Sequence, residues 1–207
     1  MKAILFNTDM VKAIMEGRKT VTRRLVKPKY RADEVSWNII TEAKSGEFVR
    51  IEYWDEYEEM TRCMPQPFYA GDILYVRETW RVRNAVGDYD RGTKAAEIEY
   101  KAEGETTLIF PTNPEFDKWR TGAKWHPSLH MPKEAARIFL RVVDVRVERL
   151  KSISASHAMS EGVNDWNEFI ALWNRTIKPA DRSAYGWDAN PWVWVIEFER
   201  CNKEAAG

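Results

Sequence analysis

The 207-residue chain is poor in cysteine and histidine, has no long apolar run and carries no excess of either charge. Its two cysteines, Cys63 and Cys201, are far apart, which argues against a disulfide framework or a thiolate zinc site. A reducing, cytoplasmic location fits this usage best. No stretch approaches the roughly 18 apolar residues of a membrane span, so we expect no membrane partner. Residues 1–6 are too short an apolar run for a signal peptide and are predicted to form a first strand.

The charge balance limits the ligands that the chain can bind. Lys and Arg together number 32, as do Asp and Glu, which gives a formal net charge of zero. Proteins that wrap a long nucleic-acid backbone normally need a basic surface, so this class is disfavoured. A small nucleoside or nucleotide is still compatible. With only three histidines in the chain, we expect no metal site and no cofactor.

Local patterns predict a mixed α+β fold. Asn7-Thr8-Asp9 can cap a short amphipathic helix that Gly17 would end. Alternating apolar residues predict strands over 73–80, 96–102, 136–150 and 191–199, and helical spacing predicts helices over 154–161 and 165–177. Residues 28–68 and 104–124 are interpreted as insertions, the first with a hairpin across Ser45-Gly46. We therefore expect about three short helices around a curled, mostly antiparallel sheet or small barrel.

The segment Gly17-Arg18-Lys19-Thr20-Val21-Thr22-Arg23-Arg24 concentrates reactive groups. A lysine of lowered pKa can take the proton of a hydroxyl nucleophile, and a nearby arginine helps to lower it. A solvated basic turn would have the same composition. Lys19 and Thr22 are three residues apart, so they can converge only if Lys19 still lies in the bend after Gly17.

This segment resembles the signature of the ASCH domains, through Gly17-x-Lys19-x-x-Thr22-x-Arg24. Many ASCH domains have glutamate at the position of Thr22, and the threonine version is similar to small bacterial amidohydrolases that deacylate N4-acetylcytidine. Three later segments carry the same resemblance, namely 70–74, 156–161 and 194–198. The two insertions make the chain longer than those hydrolases, as in a phage- or prophage-type subgroup. The resemblance implies one ASCH-like domain over 1–207 with a PUA-like β-barrel.

The resemblance also implies a catalytic set of Lys19, Thr22 and Glu161. Thr22 would attack the acyl carbonyl, and Lys19 would either activate it as a neutral amine or hold developing negative charge as an ammonium. Glu161 would protonate the leaving amine and then help water to deacylate the enzyme. A milder alternative has Glu161 activate water directly. No metal is required, because the exocyclic amine of cytosine is conjugated with its ring and leaves readily.

Four residues are candidates for substrate binding, namely Arg24, Glu78, Trp80 and Trp125. Arg24 would contact the ligand or form a structural ion pair. Glu78 and Trp80 would offer a pyrimidine one acceptor and one aromatic surface, or else would be a strand-edge charge and a core side chain. The expected partner is an acylated pyrimidine nucleoside or base.

Two functions of another class stay open. One is a PUA-like RNA-binding or regulatory module without catalysis, and the other is an ASCH-type ribonuclease. Within the basic segment, we expect Arg18 and Arg23 to have no role in the site.

Overall fold

The structure, a computed structural model, describes residues 1–26, 37–41, 48–55, 60–86, 95–104, 106–109 and 124–203. These residues form eleven strands and four α-helices. The strands are β1 (Lys2–Leu5), β2 (Val21–Leu25), β3 (Trp37–Thr41), β4 (Phe48–Asp55), β5 (Met60–Met64), β6 (Ile73–Arg77), β7 (Trp80–Val86), β8 (Ala95–Tyr100), β9 (Thr106–Ile109), β10 (Phe139–Arg149) and β11 (Trp192–Cys201). The helices are α1 (Thr8–Met15), α2 (Ala155–Ser160), α3 (Trp166–Thr176) and α4 (Arg182–Tyr185).

The strands form three sheets, with the orders β1-β6-β10-β11-β2, β3-β4-β5 and β7-β8-β9. In the first sheet β1 runs parallel to β6, whereas β10 pairs with β6 and β11 with β2 in the antiparallel direction. Both three-stranded sheets are antiparallel. No helix in the described part of the chain is long and apolar enough to cross a membrane.

The chain divides into two compact units, and each is assembled from segments that are distant in sequence. The first unit contains Met1–Thr20, Gly71–Arg141 and Phe198–Gly207, and the second contains Val21–Ala70 and Val142–Glu197. Because β10 and β11 each cross a boundary, both units contain part of these two strands. The assignment of a single domain over 1–207 stays a prediction.

Each unit has its own hydrophobic core. The core of the first unit contains Trp80, Ile98, Tyr100 and Met131, all almost fully buried. In the second unit, residues of α2 and α3 pack against β2 and β11 in a cluster that includes Val21, Leu150, Ala158, Phe169, Trp173 and Val195. Burial of apolar surface contributes about 25 cal/mol per Å², so these clusters are the main stabilising contacts of the two units.

The predicted mixed α+β class and most predicted elements are confirmed. The side chain of Asn7 accepts a hydrogen bond from the Met10 N–H at the start of α1, and Gly17 follows the helix with φ +76°. Ser154 and Asp165 cap α2 and α3. The hairpin predicted in the first insertion is present as β3 and β4, whereas its turn at Ser45-Gly46 lies outside the described residues.

Several expectations were wrong in detail. The described residues form no closed barrel, so the PUA-like barrel stays a prediction, and they contain four α-helices where about three were expected. The second insertion, predicted to be a loop, contributes β9, and the first contributes a third strand, β5, beyond the hairpin. Both strands gain their hydrogen bonds from a neighbouring strand, which local propensity does not encode.

The strand predicted over 73–80 is divided between two sheets. β6 ends at Arg77 because the next backbone N–H, that of Glu78, donates to the sulfur of Met131 instead of to a neighbouring strand. Trp80 then pairs with His126 through two backbone hydrogen bonds and begins β7 beside β8. Glu78 therefore lies in the connection between β6 and β7, and it does not share a strand face with Trp80 as predicted.

Gly186, which follows α4, is required by a close backbone contact. A Cβ at this position would lie 2.6 Å from the carbonyl oxygen of Arg182 and 3.3 Å from Oδ1 of Asn174. We expect Gly186→Ala to lower the free energy of unfolding by about 2 kcal/mol, because the backbone must shift to admit the methyl group. Urea denaturation measures the change. Ser183→Ala, on exposed α4, is the control and should stay within about 0.5 kcal/mol. Equal stabilities of the two variants would contradict this account.

Candidate functional site

Five polar or charged residues of the described chain are buried, and four of them are predicted site residues. They are Lys19, Thr22, Arg23, Glu78 and Glu161, each no more than 4 % exposed. Burying an ionisable group lowers stability unless the group is paired, so buried ionisable residues are often found at functional sites. The three predicted catalytic residues all belong to this set.

Lys19 belongs to the first unit and lies in the short segment between α1 and β2, two residues after the turn at Glu16-Gly17, where it forms a single β-bridge. Its backbone N–H donates to the carbonyl of Ala13 at 3.0 Å, and Gly17, with φ +76°, turns the chain two residues before it. The side chain is 2 % exposed, and its Nζ lies 5.6 Å from the ring centroid of Phe6. The lysine is thus held just after a helix end, buried beside the aromatic ring of Phe6.

Thr22 belongs to the second unit and is the second residue of β2. It pairs with Ile196 of β11, and its side chain is 2 % exposed. Side chains alternate along a strand, so Thr22 and Arg24 lie on one face of β2 and Arg23 lies on the other. The backbone of Thr22 is therefore fixed by strand pairing, and its side chain lies in the interior of the unit.

Glu161 is positioned by the end of α2. The Glu161 N–H donates to the carbonyl of Ala158, and Gly162, with φ +86°, turns the chain directly after it. Sequence alone would place a glutamate at such a helix end in solvent. Its side chain is instead only 4 % exposed, because α2 packs against the core of the second unit.

Arg23, which we expected to have no role, is the partner of Glu161. Its Nη1 donates to Oε1 of Glu161 at 3.2 Å, and its side chain is 1 % exposed. The expectation was wrong because a basic segment in sequence resembles solvated surface. One signal could have revealed the burial of Arg23. The strand period places Arg23 on the same face of β2 as the apolar residues Val21 and Leu25.

Glu161 interacts with arginines on both faces of β2. Besides the bond to Arg23, its charge raises the pKa of Arg24, although burial has the larger, opposite effect and leaves that pKa below its ordinary value. Arg23 and Arg24 point to opposite faces of β2, which is an edge strand of its sheet among the described residues. Thr22 shares its face with Arg24. The charge of Glu161 therefore acts on a residue that lies on the same face of β2 as Thr22.

A chain of ion pairs extends from Arg23 along the second unit. Nη2 of Arg23 lies 3.6 Å from Oε2 of Glu148, and Oε1 of Glu148 accepts from Nε of Arg146 at 2.6 Å. Arg146 also donates to Asp144 and Glu197. Burial lowers the pKa of Arg146, but the hydrogen bonds to its three carboxylates outweigh this and raise it. Arg146 therefore remains charged and holds Glu148 beside Arg23.

A cleft of about 390 Å³ in the second unit is lined by Arg23 and Arg24. Its other walls include Trp173, Tyr185 and the residues that follow α3. The volume is within the range of small-molecule sites. The cleft reaches the strand that carries Thr22, from the side on which α3 packs.

Glu78 is held in a salt bridge of the first unit. Its two carboxylate oxygens accept from Nε and Nη2 of Arg137 at 3.0 and 3.1 Å, and Glu78 is 1 % exposed. Arg137 also donates to Glu103 and stacks 4.3 Å above the ring of Tyr100. A carboxylate paired in this way is more typical of a structural salt bridge than of a group that accepts a hydrogen bond from a ligand. The substrate-binding role of Glu78 stays a prediction.

The two candidate tryptophans differ in accessibility. Trp80 is fully buried, with its ring centroid 5.2 Å from that of His126. Trp125 is half-buried, and the guanidinium of Arg81 lies 4.5 Å from its ring centroid. Trp80 is therefore a core residue of the first unit, whereas Trp125 keeps part of its surface available. Stacking of either ring on a base stays a prediction.

The described residues contain no group of three or more histidine, cysteine or acidic side chains that could hold a metal ion. Compared with known proteins, the chain matches no family model, and no curated protein and no solved structure is significantly similar to it.

The Arg23–Glu161 pair makes a stability prediction. Arg23→Met should lower the free energy of unfolding by about 3–5 kcal/mol, because it removes the guanidinium that pairs with a buried carboxylate. Combining it with Glu161→Gln should restore much of the loss, since the buried carboxylate charge is then removed as well. Urea denaturation of the two single variants and the double variant measures the coupling. Additive effects of the two substitutions on the free energy of unfolding would contradict the predicted coupling.

Arg141→Met is the matched control for this cycle. Arg141 pairs with Glu199 at 3.5 Å, but the two side chains are 45 % and 58 % exposed. Removal of an exposed pair should change stability by less than about 1 kcal/mol.

Burial of Tyr100 makes a pH prediction. Burial raises the pKa of this phenol to about 12, and its hydroxyl donates to the carbonyl of Ala135 at 2.6 Å. The unfolded chain loses this proton near pH 10, so the stabilisation is complete below pH 10 and is lost as the pH rises toward 12. The loss should be about 2–3 kcal/mol, and Tyr100→Phe should remove that part of the decline. Denaturation between pH 9 and 12 compares the two proteins, and parallel declines would contradict the assignment.

Proposed function

We propose that the chain is a metal-free amidohydrolase that deacylates N4-acylated cytosine compounds in the cytoplasm, with an ASCH-like, PUA-related fold. Lys19, Thr22 and Glu161 are its catalytic residues, and Arg24 and Trp125 are the most accessible of its candidate binding residues. The proposal starts from the resemblance of the segment around Lys19 and Thr22 to N4-acetylcytidine amidohydrolases.

One observation carries the proposal beyond the resemblance. All three residues that the resemblance selects are among the five buried polar residues of the described chain. Surface residues that matched a short pattern by coincidence would be solvated, as Arg18 is, with 47 % of its side chain exposed. Burial of a lysine, a threonine and a glutamate supports a shared chemical task, because burying charge lowers stability unless it is balanced.

The proposed reaction has two steps with balanced protons. The Lys19 amine takes the hydroxyl proton of Thr22 while Thr22 attacks the acyl carbonyl, and Glu161 protonates the leaving N4 nitrogen. Glu161 then takes a proton from water, the hydroxide attacks the threonyl ester, and Lys19 returns its proton to Thr22. The alternative has Glu161 activate water directly while Thr22 and Lys19 polarise the carbonyl.

Turnover of N4-acetylcytidine tests the proposal. We expect cytidine and acetate to form with the wild-type protein, measured by ultraviolet absorbance and chromatography. Lys19→Ala, Thr22→Ala and Glu161→Gln should each lower kcat/KM at least about 1000-fold, because each removes a group from a coupled proton and acyl transfer. Trapping of an acyl-enzyme by mass spectrometry distinguishes the two mechanisms.

Arg18→Ala is the control for these variants. It removes a cation from the same segment, but Arg18 pairs with Glu16 and its side chain is 47 % exposed, so turnover should stay within about twofold. Absence of turnover with acylated cytosines, nucleosides and nucleotides would overturn the hydrolase proposal. Salt-sensitive RNA binding without turnover would favour the non-catalytic module, and RNA cleavage would favour the ribonuclease.

A further inference from the structure

We propose that Arg23 is a positioning residue for Glu161, and that Glu148 and Arg146 form a second layer that restrains Arg23. This inference rests on the proposed function, in which Glu161 transfers protons. It concerns a residue that follows Thr22 directly but points to the other face of β2. The three ion-paired residues come from β2 and β10 of the second unit.

The contact itself can fix the carboxylate. Oε1 of Glu161 accepts the hydrogen bond from Nη1 of Arg23, at a site where the two side chains are 4 % and 1 % exposed. Water cannot replace a guanidinium that is sealed in this way, so the orientation of Glu161 depends on a protein group. Proton transfer requires the acid or base within hydrogen-bond reach of its target, and small displacements are costly to the rate.

Arg23 is not explained by stability alone. Its Nε and Nη2 are buried, and neither has a hydrogen-bond partner among the described residues. A buried guanidinium with incomplete hydrogen bonding is less stabilising than a well-packed apolar side chain of similar size. Its neighbours on the same strand face, Val21 and Leu25, are apolar and belong to or pack against the core. A charged residue at this position indicates a requirement other than packing.

The second layer restrains Arg23 from its other side. Glu148 lies 3.6 Å from Nη2 of Arg23, and Arg146 binds Glu148 at 2.6 Å. Arg146 is itself held by Asp144 and Glu197, one from its own strand and one from β11. Arg23 is therefore held between the carboxylates of Glu161 and Glu148. Glu148 is in turn anchored through Arg146 to the paired strands β10 and β11. A rotation of Arg23 would break contacts on both sides.

Steady-state kinetics with N4-acetylcytidine tests the positioning role at a temperature well below the unfolding midpoint of each variant. We expect Arg23→Met to lower kcat about 100-fold, with KM within about threefold, because the acid is displaced while binding is retained. Arg23→Lys, which keeps the charge without the planar fork, should recover part of kcat. Glu148→Gln and Arg146→Met, which do not bond Glu161, should lower kcat about 3- to 10-fold.

Arg141→Met removes an arginine from the same strand as Arg146 and should leave kcat within about twofold. A kcat for folded Arg23→Met within twofold of wild type would overturn the inference, as would a change confined to KM. Should Arg23→Met fail to fold, Glu148→Gln decides the question, because Glu148 is 24 % exposed and its loss is better tolerated. An unchanged kcat for Glu148→Gln would then overturn the second layer.

A readout without turnover separates this inference from the hydrolase proposal. In wild type, the buried Nε–H of Arg23 should give a slowly exchanging ¹⁵N-resolved signal in nuclear magnetic resonance spectra. Glu161→Gln and Glu148→Gln should each accelerate its exchange at least about tenfold, because each frees one side of the guanidinium. An inactive wild type with this response would contradict the hydrolase proposal alone. Exchange that neither variant alters would overturn the restraint of Glu161 by Arg23.

Discussion

The buried ion pair between Arg23 and Glu161 is the contact on which the second unit's candidate site depends. A carboxylate in the interior needs a cation or several donors, and here the guanidinium of the adjacent edge strand supplies it. The pair joins two elements that are 138 residues apart in sequence. Closing such a long loop is entropically unfavourable, so the apolar packing of α2 and α3 must provide the free energy that brings the two charges together.

The local structures around this pair serve the same end. Ser154 begins α2 by accepting a hydrogen bond from the His157 N–H, and Gly162 ends it directly after Glu161. The helix therefore has little freedom to shift Glu161 along its axis. On the other side, β2 is paired residue by residue with β11, which fixes the position of Arg23. Two short, well-terminated elements thus determine the geometry of one charged contact.

Sequence reasoning succeeded where the signals are local and failed where they are not. The caps of α1, α2 and α3 and the period of β11 are visible in the chain and predicted those elements. The division between β6 and β7 was missed because it is decided by Met131 and His126, which lie more than 40 residues further along. β9 was missed because it has only four residues, too few for a clear period, and its pairing with β8 is a contact between segments that local sequence does not show.

The candidate site shows the same limit more sharply. The resemblance selected Lys19, Thr22 and Glu161, and all three are buried, which composition could not foretell. Arg23 was passed over because counting charges in a segment says nothing about the direction of each side chain. Glu78 and Trp80 were assigned to one face of one strand, but β6 ends at Arg77 and Trp80 begins β7 in another sheet. The strand period identifies a residue's face only when the limits of the strand are known.

The assembly of each unit from distant segments governs the order in which the protein can form during synthesis. The first unit needs residues 198–203 as well as the amino-terminal 20, and the second needs β11 to pair with β2. Neither unit can be completed until β11 has left the ribosome. The nascent chain therefore exposes the edge of β2 that pairs with β11 until β11 has been synthesised. Such a chain has a high contact order, which slows folding and lengthens its exposure to aggregation or chaperone capture.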